Sequence, residues 1–188
     1  MRLLMYGAGD FARTVEILAR DCGHEVLGCI DDTAQNPHAL GTFSAVCESH
    51  PPADCGVVMA IGYRDLGSRW KAWLRLRAAG YASPALIHPR AYVAAQAVLA
   101  DGCQVMAGAV VDVRSSVGEA SVLWPCANVN HDSRVGANCF VSPSATLCGF
   151  VQIGDGSFIG AGAVVVDHCV VPPHSFIKAA SLTRGPRQ

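Results

Sequence analysis

From Ile87 to Ile177 every sixth residue is aliphatic, sixteen positions in an unbroken series that runs Ile87, Val93, Leu99 and onward to Val165, Val171 and Ile177. The residue four places further on is small, as at Ala91, Ala97, Cys103, Ser115, Ser133, Cys139, Ala163 and Ser175. A period of six fits neither a helix at about 3.6 residues per turn nor an alternating strand, whereas a fixed short repeat points to a solenoid. Each hexad then makes one short strand and one bend. The aliphatic side chain points into the bore, and the small residue sits where the bend leaves no room for bulk. Three hexads close a triangular coil of eighteen residues, so the series predicts a parallel β-helix of about five coils. At the inter-strand spacing of ~4.8 Å it stands roughly 24 Å tall.

The other half, before residue 86, reads differently. Arg2 to Tyr6 is a short apolar strand followed by Gly7-Ala8-Gly9-Asp10-Phe11-Ala12 and a helical pattern to Asp21. Glu25 to Ile30 and Gly56 to Ile61 read as further strands, and Tyr63 to Ala79 as a second long helix, with a loop-like span from Thr33 to Asp54 that has room for a short helix or an edge strand. Strands alternating with helices predict a small parallel α/β domain over residues 1–85, ahead of a β-helix over 86–180 and a tail over 181–188. Gly7-x-Gly9-x-x-Ala12 matches the dinucleotide fingerprint, and Asp31 lies at about the spacing that meets a ribose. Only one half of a doubly wound fold fits before residue 87, which suits a nucleotide or nucleotide-sugar better than NAD. A tight strand-to-helix turn with no ligand is the plain alternative.

Charge and composition exclude several classes. A formal net charge of −1 over 188 residues offers no electrostatic case for nucleic acid or an anionic membrane. Apolar residues make up 51% of the chain, yet no run approaches the ~18 residues that span a bilayer. The apolar start is too short for a signal peptide and a cytoplasmic protein is expected. The nine cysteines include no Cys-x-x-Cys pair, and Cys103, Cys139 and Cys169 fall on the small-residue positions, where they read as packing residues.

Ionisable groups are scarce in the hexads, so those at the bends stand out. His131 lies in Val129-Asn130-His131-Asp132-Ser133-Arg134, and one coil later the same position carries Gly149. A histidine beside an acid is a plausible general base, because the carboxylate fixes the ring tautomer. The glycine above it leaves a backbone N–H open to a ligand. A solvated bend histidine is the bland reading. A three-histidine zinc site would need histidines on facing bends, but the positions one coil either side of His131 are Val113 and Gly149, and His168 and His174 are six residues apart. No metal site is expected. Cys126 and Cys148 are rival nucleophiles without a visible histidine partner.

Tyr6-Gly7-Ala8-Gly9, Ile30-Asp31-Asp32, Ala60-Ile61-Gly62, Leu86-Ile87-His88-Pro89, Asn130-His131-Asp132 and Ile153-Gly154-Asp155 together resemble the sialic-acid O-acetyltransferase-like group and the bacterial nucleotide-amino-sugar N-acetyltransferases. That resemblance implies an N-terminal Rossmann-like sugar-nucleotide domain, a left-handed β-helix, a homotrimer and acetyl-CoA as cosubstrate. It implies His131 as general base, Asp132 as the acid that tunes it, and direct acetyl transfer to a sugar amine, with transfer to a hydroxyl as the alternative. Gly149 is expected to stabilise the oxyanion. Substrate would meet Gly7, Ala8, Gly9, Asp10, Phe11, Asp31, Asp32, Gly62 and Tyr63, and acetyl-CoA would lie near Phe140, Gly149, Ala161 and Ala179. Two departures stand out: Asp10-Phe11 replaces the Gly-His usual in relatives, and Phe140 stands where a relative places a CoA-contacting histidine. An NAD-linked oxidoreductase and a non-catalytic scaffold are the competing classes. A frayed end is the plainer reading of the tail, although its Arg184 and Arg187 are within reach of CoA phosphates.

Overall fold

A computed structural model describes residues 1–33 and 36–185. The chain divides into two compact units, Met1–Pro84 and Ala85–Gln188.

The first unit is built on a three-stranded parallel sheet of order β2-β1-β3. Strand β1 (Arg2–Tyr6) is followed by α1 (Asp10–Asp21), β2 (Glu25–Ile30), α2 (Phe43–Ser49), β3 (Gly56–Met59) and, after a 3-10 turn at Tyr63–Asp65, α3 (Leu66–Ala78). The central strand must be apolar on both faces, and Leu3, Leu4, Met5 and Tyr6 are all buried. Helix α3 starts where Asp65 caps it, accepting from the Ser68 N–H at 2.9 Å, and it buries Trp73 and Leu76 while Leu74 faces solvent. Thr33 to Asp54, loop-like in sequence, carries the seven-residue α2. Helical periodicity is hard to see over two turns, and Asp32 supplies what helps start it: its Oδ1 accepts from the Phe43 N–H at 2.8 Å.

From Leu86 onward the chain winds as a β-helix of two-residue strands. One face holds six strands from Leu86–Ile87 to Phe176–Ile177, the second six from Tyr92–Val93 to Leu182–Thr183, and the third five from Val98–Leu99 to Val170–Val171. Every pairing is parallel and in step, for example Asn128↔Thr146 and Val129↔Leu147. The last strand, Leu182–Thr183, pairs with Val164–Val165 and carries the solenoid past residue 180. Arg187 lies outside the described residues.

The hexad pattern maps onto this winding directly. Val111, Val129, Leu147 and Val165 stack in the bore with no exposure, and the small residues Ala109, Ala127, Ala145 and Ala163 pack beside them. Where the small residue is serine, its hydroxyl ties one coil to the next. Ser115 Oγ donates to the Asn130 carbonyl at 2.7 Å, and Ser133 Oγ donates to the Cys148 carbonyl at 2.8 Å while accepting from the Val151 N–H. Both hydroxyls are buried and satisfied, as a buried polar group requires. From Gly102 onward each bend turns the chain through a residue in the left-handed region, including non-glycine residues such as Arg114, Asp132, Phe150 and His168.

Leu147→Ala opens a cavity in a bore lined on every side, and it should cost about 2–5 kcal/mol in urea unfolding. Val170→Ala, on the partly exposed outer face, should stay within about 0.5 kcal/mol.

Candidate active site

The bend between the second and third faces carries the densest polar chemistry of the solenoid. Positions eighteen residues apart stack there, so Arg114, Asp132, Phe150 and His168 form one column, and His131 and Gly149 stand beside it. Asp132 is the hub. Arg114 Nε and Nη2 reach its two oxygens at 2.7 and 2.8 Å, and His131 Nδ1 lies 2.9 Å from Oδ2. Hydrogen bonds from Arg114 and then from His131 hold the Asp132 carboxyl well below the usual carboxylate range, at about 2. An ionised carboxylate only accepts, so the proton in this bond sits on His131 Nδ1 and Nε2 carries the lone pair when the ring is neutral.

That nitrogen faces Gly149. A Cβ at Gly149 would sit 2.6 Å from His131 Cε1 and 2.8 Å from Nε2, so the ring occupies the space that a side chain would need. Phe150 closes another side, edge-on to the imidazole at 5.4 Å and itself stacked on His168 at 4.6 Å. The ring is therefore pinned by Asp132 and Phe150, yet the His131 side chain remains 48% exposed. The Gly149 N–H donates to no acceptor among the described residues, while its carbonyl accepts from the His168 N–H. An imidazole nitrogen with no hydrogen-bond partner among the described residues thus lies beside an N–H that is also unused, a pairing that acyl transfer can exploit.

Several sequence-predicted residues fall together here and others do not. His131, Asp132 and Gly149 share this bend. Ala161 and Ala179 lie on the bend between the first and second faces, and Phe140 is fully buried on the first face, presenting no surface to a ligand. Cys126 is on that other bend too. Cys148 adjoins Gly149, but burial, then the nearby Asp167, pushes its thiol up, which leaves it a poor nucleophile. Sequence reasoning missed Arg114 and placed His168 only near the end of the solenoid. Both were findable, since they lie eighteen residues before and thirty-six after Asp132. Among the described residues, no group of three or more His, Cys, Asp or Glu is placed to hold a metal.

In the first unit the residues at the carboxyl ends of the strands converge, the usual ligand position in an open parallel sheet. Gly7 has φ +124°, and a Cβ there would meet the Ala60 carbonyl at 2.6 Å, so only glycine fits this turn. Ala8 and Gly9 follow it, with Asp10 opening α1. A Cβ at Gly62 would lie 3.5 Å from the Phe11 Cβ, which places Phe11 against the Gly62–Tyr63 segment. The two aspartates behave differently from a ribose-binding acid. Asp31 is buried, with Oδ1 accepting from the Thr33 N–H and hydroxyl and Oδ2 from the Asn36 N–H, so its carboxylate shapes its own loop. Asp32 accepts from the Tyr6 hydroxyl at 2.5 Å and from Arg75 at 2.8 Å. Burial opposes its ionisation, but the bonds from Tyr6, Phe43 and Arg75 prevail and hold it below the usual range. Tyr6 stacks on Phe43 at 4.9 Å, with Arg75 over the same ring. Arg75 and Phe43 give no local motif in sequence, because α2 and α3 bring them together only in the fold.

Known proteins match both units. Residues 2–72 match the PglD N-terminal domain, and residues 132–167 match the bacterial transferase hexapeptide repeats. The acetyltransferase domain of PglB from Neisseria gonorrhoeae, in complex with acetyl coenzyme A, superposes with a TM-score of 0.90 at 29% identity, over 98% of this chain and 91% of that one. A GDP-perosamine N-acetyl transferase from Caulobacter crescentus, a histidine-to-alanine mutant in complex with CoA and GDP-perosamine, gives 0.91 at 26% identity over 100% and 90%. The acyl-carrier-protein–UDP-N-acetylglucosamine O-acyltransferase of Pseudomonas putida is 28% identical over 80 residues, a match spanning 42% of this chain and 31% of that relative's length. The chain is thus similar over nearly its whole length to solved acetyltransferases, with a match to the PglD N-terminal domain in its first unit and to hexapeptide repeats in its second. No helix among the described residues is long and apolar enough to cross a membrane.

The contribution of Asp132 to stability is small, because Arg114 is largely exposed, and it comes through the ionised carboxylate. With its folded value depressed, that contribution is fully present above the ordinary carboxylate range near pH 4 and is lost as pH falls through about 2. A carbon-13 NMR titration of the Asp132 carboxyl should find its midpoint near pH 2; a midpoint near 4 would mean that the Arg114 and His131 bonds do not form in solution.

Proposed function

We propose that this protein is an acetyl-CoA-dependent N-acetyltransferase that acts on the amine of a nucleotide-linked amino sugar, with His131 as the general base. The observation that carries the reading is the His131–Asp132 pair beside Gly149, with Nδ1 tied to a carboxylate and Nε2 left open. Support comes also from the two solved relatives, one in complex with acetyl coenzyme A and the other with CoA and GDP-perosamine. The three-stranded first unit, with its Gly7–Gly9 turn, suits the nucleotide part of such a substrate, and its single mononucleotide-sized sheet argues against NAD.

In the reaction, the amine nitrogen attacks the thioester carbonyl of acetyl-CoA as its proton passes to His131 Nε2. The carbonyl oxygen takes up negative charge, and the Gly149 N–H donates to it, a contact worth roughly 3 kcal/mol. Collapse re-forms the carbonyl, breaks the carbon–sulfur bond and releases CoA as thiolate, to which protonated His131 returns the proton. Asp132 stays ionised throughout and stabilises the imidazolium. No covalent acyl-enzyme forms, consistent with the raised Cys148 thiol. The reading includes a homotrimer in the cytoplasm, which light scattering and cell fractionation check.

His131→Ala should lower turnover at least ~10²-fold, with acetyl-CoA binding and melting temperature nearly unchanged. Near-normal turnover in that variant, measured by thiol release against a panel of UDP-, dTDP- and GDP-amino sugars, sinks the assignment. Activity confined to substrates with a hydroxyl at the accepting position would redirect it to O-acetylation.

A further inference from the structure

We propose that Arg114 is a positioning residue for the acyl transfer, its guanidinium clamping both oxygens of Asp132 so that the carboxylate holds the His131 ring with Nε2 outward. The inference rests on the reading of His131 as base. Its geometry stands alone: two parallel N–H···O bonds at 2.7 and 2.8 Å reach both oxygens, and the same Oδ2 takes the bond from His131 at 2.9 Å. A bidentate fork fixes the plane of the carboxylate, which a single bond from histidine does not. The carboxylate in turn fixes the imidazole.

A role in stability explains this contact poorly. The Arg114 side chain is 64% exposed, and exposed pairs of this kind contribute little. The backbone makes the same point. Arg114 and Asp132 both lie in the left-handed region, at φ 55° and 58°, where glycine or asparagine is cheapest. The corresponding positions on the other two bends are mostly Gly, Ala, Asn, Ser or Cys, as at Gly108, Cys126, Ala120 and Asn138. Only this bend stacks Arg114, Asp132, Phe150 and His168 in consecutive coils, and they surround the one histidine that meets Gly149.

The clamp sets two opposed effects on the base. It orients the ring, which favours transfer, and its positive charge offsets the Asp132 charge that would otherwise stabilise the imidazolium. The charged and titratable groups of this bend are Asp132 on the turn of His131, Asp112 and Arg114 in the coil before, Cys148 in the coil after, and Asp167 and His168 two coils on. Among the described residues only Asp132 hydrogen-bonds the imidazole. Removing Arg114 therefore leaves a less neutralised acid beside a less ordered base.

The test compares wild type with Arg114→Gln, Arg114→Lys, Asp132→Asn and the Arg114→Gln/Asp132→Asn double variant, using full-length protein. Arg114→Gln should lower kcat roughly tenfold, as loss of a supporting hydrogen-bond partner typically does, with KM for acetyl-CoA little changed. The acidic limb of its kcat/KM profile should move to higher pH. Arg114→Lys should restore the limb, since it returns the charge, but not kcat, since an ammonium cannot make the fork. Added to Asp132→Asn, Arg114→Gln should have no further effect. Nitrogen-15 histidine NMR gives a readout without substrate: His131 should be protonated at Nδ1 in the wild type and a tautomer mixture in Arg114→Gln. Unchanged ring signals in Arg114→Gln, or the same fold loss in both Asp132 backgrounds, overturns the clamp. A shifted tautomer with undiminished turnover instead overturns the base reading on which it rests.

Discussion

Eighteen residues separate every hydrogen-bonded strand pair of the solenoid, from Leu86↔Gln104 to Val165↔Thr183. The rest of the second unit depends on that constant. It holds because each bend is filled by an aliphatic residue in the bore with a small residue against it, and from Gly102 onward by a left-handed residue outside. Side chains that recur at eighteen-residue spacing are then stacked one coil apart, close enough for a salt bridge or a ring contact. Arg114 over Asp132 and Phe150 over His168 are the two cases that build the site. No loop has to be ordered to assemble them.

Electrostatics in this bend centres on one carboxylate. Asp132 takes three charge-assisted bonds through two oxygens, and its depressed value keeps it an acceptor until the pH falls to about 2. The first unit uses the same device for a different end. Asp32 gathers Tyr6, Arg75 and the start of α2, so that burial and this carboxylate push the Tyr6 phenol upward and lock it in its protonated form. One hub orients a ring that faces solvent; the other welds a strand, a helix start and a second helix into a platform.

The period of six made the solenoid legible, because the bore tolerates few exceptions and each aliphatic position reports on it. The bend carrying His131 and Gly149 was legible for the same reason. Arg114 and His168 were hidden by reading neighbours along the chain when contact runs across coils: a shift of eighteen or thirty-six finds both. The parts that stayed illegible depend on tertiary packing. Nothing near Phe140 signals that it is buried, and nothing near Asp31 signals that Thr33 and Asn36 consume its oxygens. Arg75 meets Asp32 across forty-three residues with no repeat to announce it.

Constant spacing also governs what kinds of change the chain can survive. Removing one residue from a strand would advance every later position by a step, turning aliphatic residues outward and sliding Asp132 out from above Arg114. Removing eighteen would shorten the column and leave its packing in phase. Insertions fit only at the bends, where extra chain can bulge into solvent. Change tolerated by such a molecule is therefore quantised: a whole coil can be added or removed in phase, while a single residue within a strand cannot.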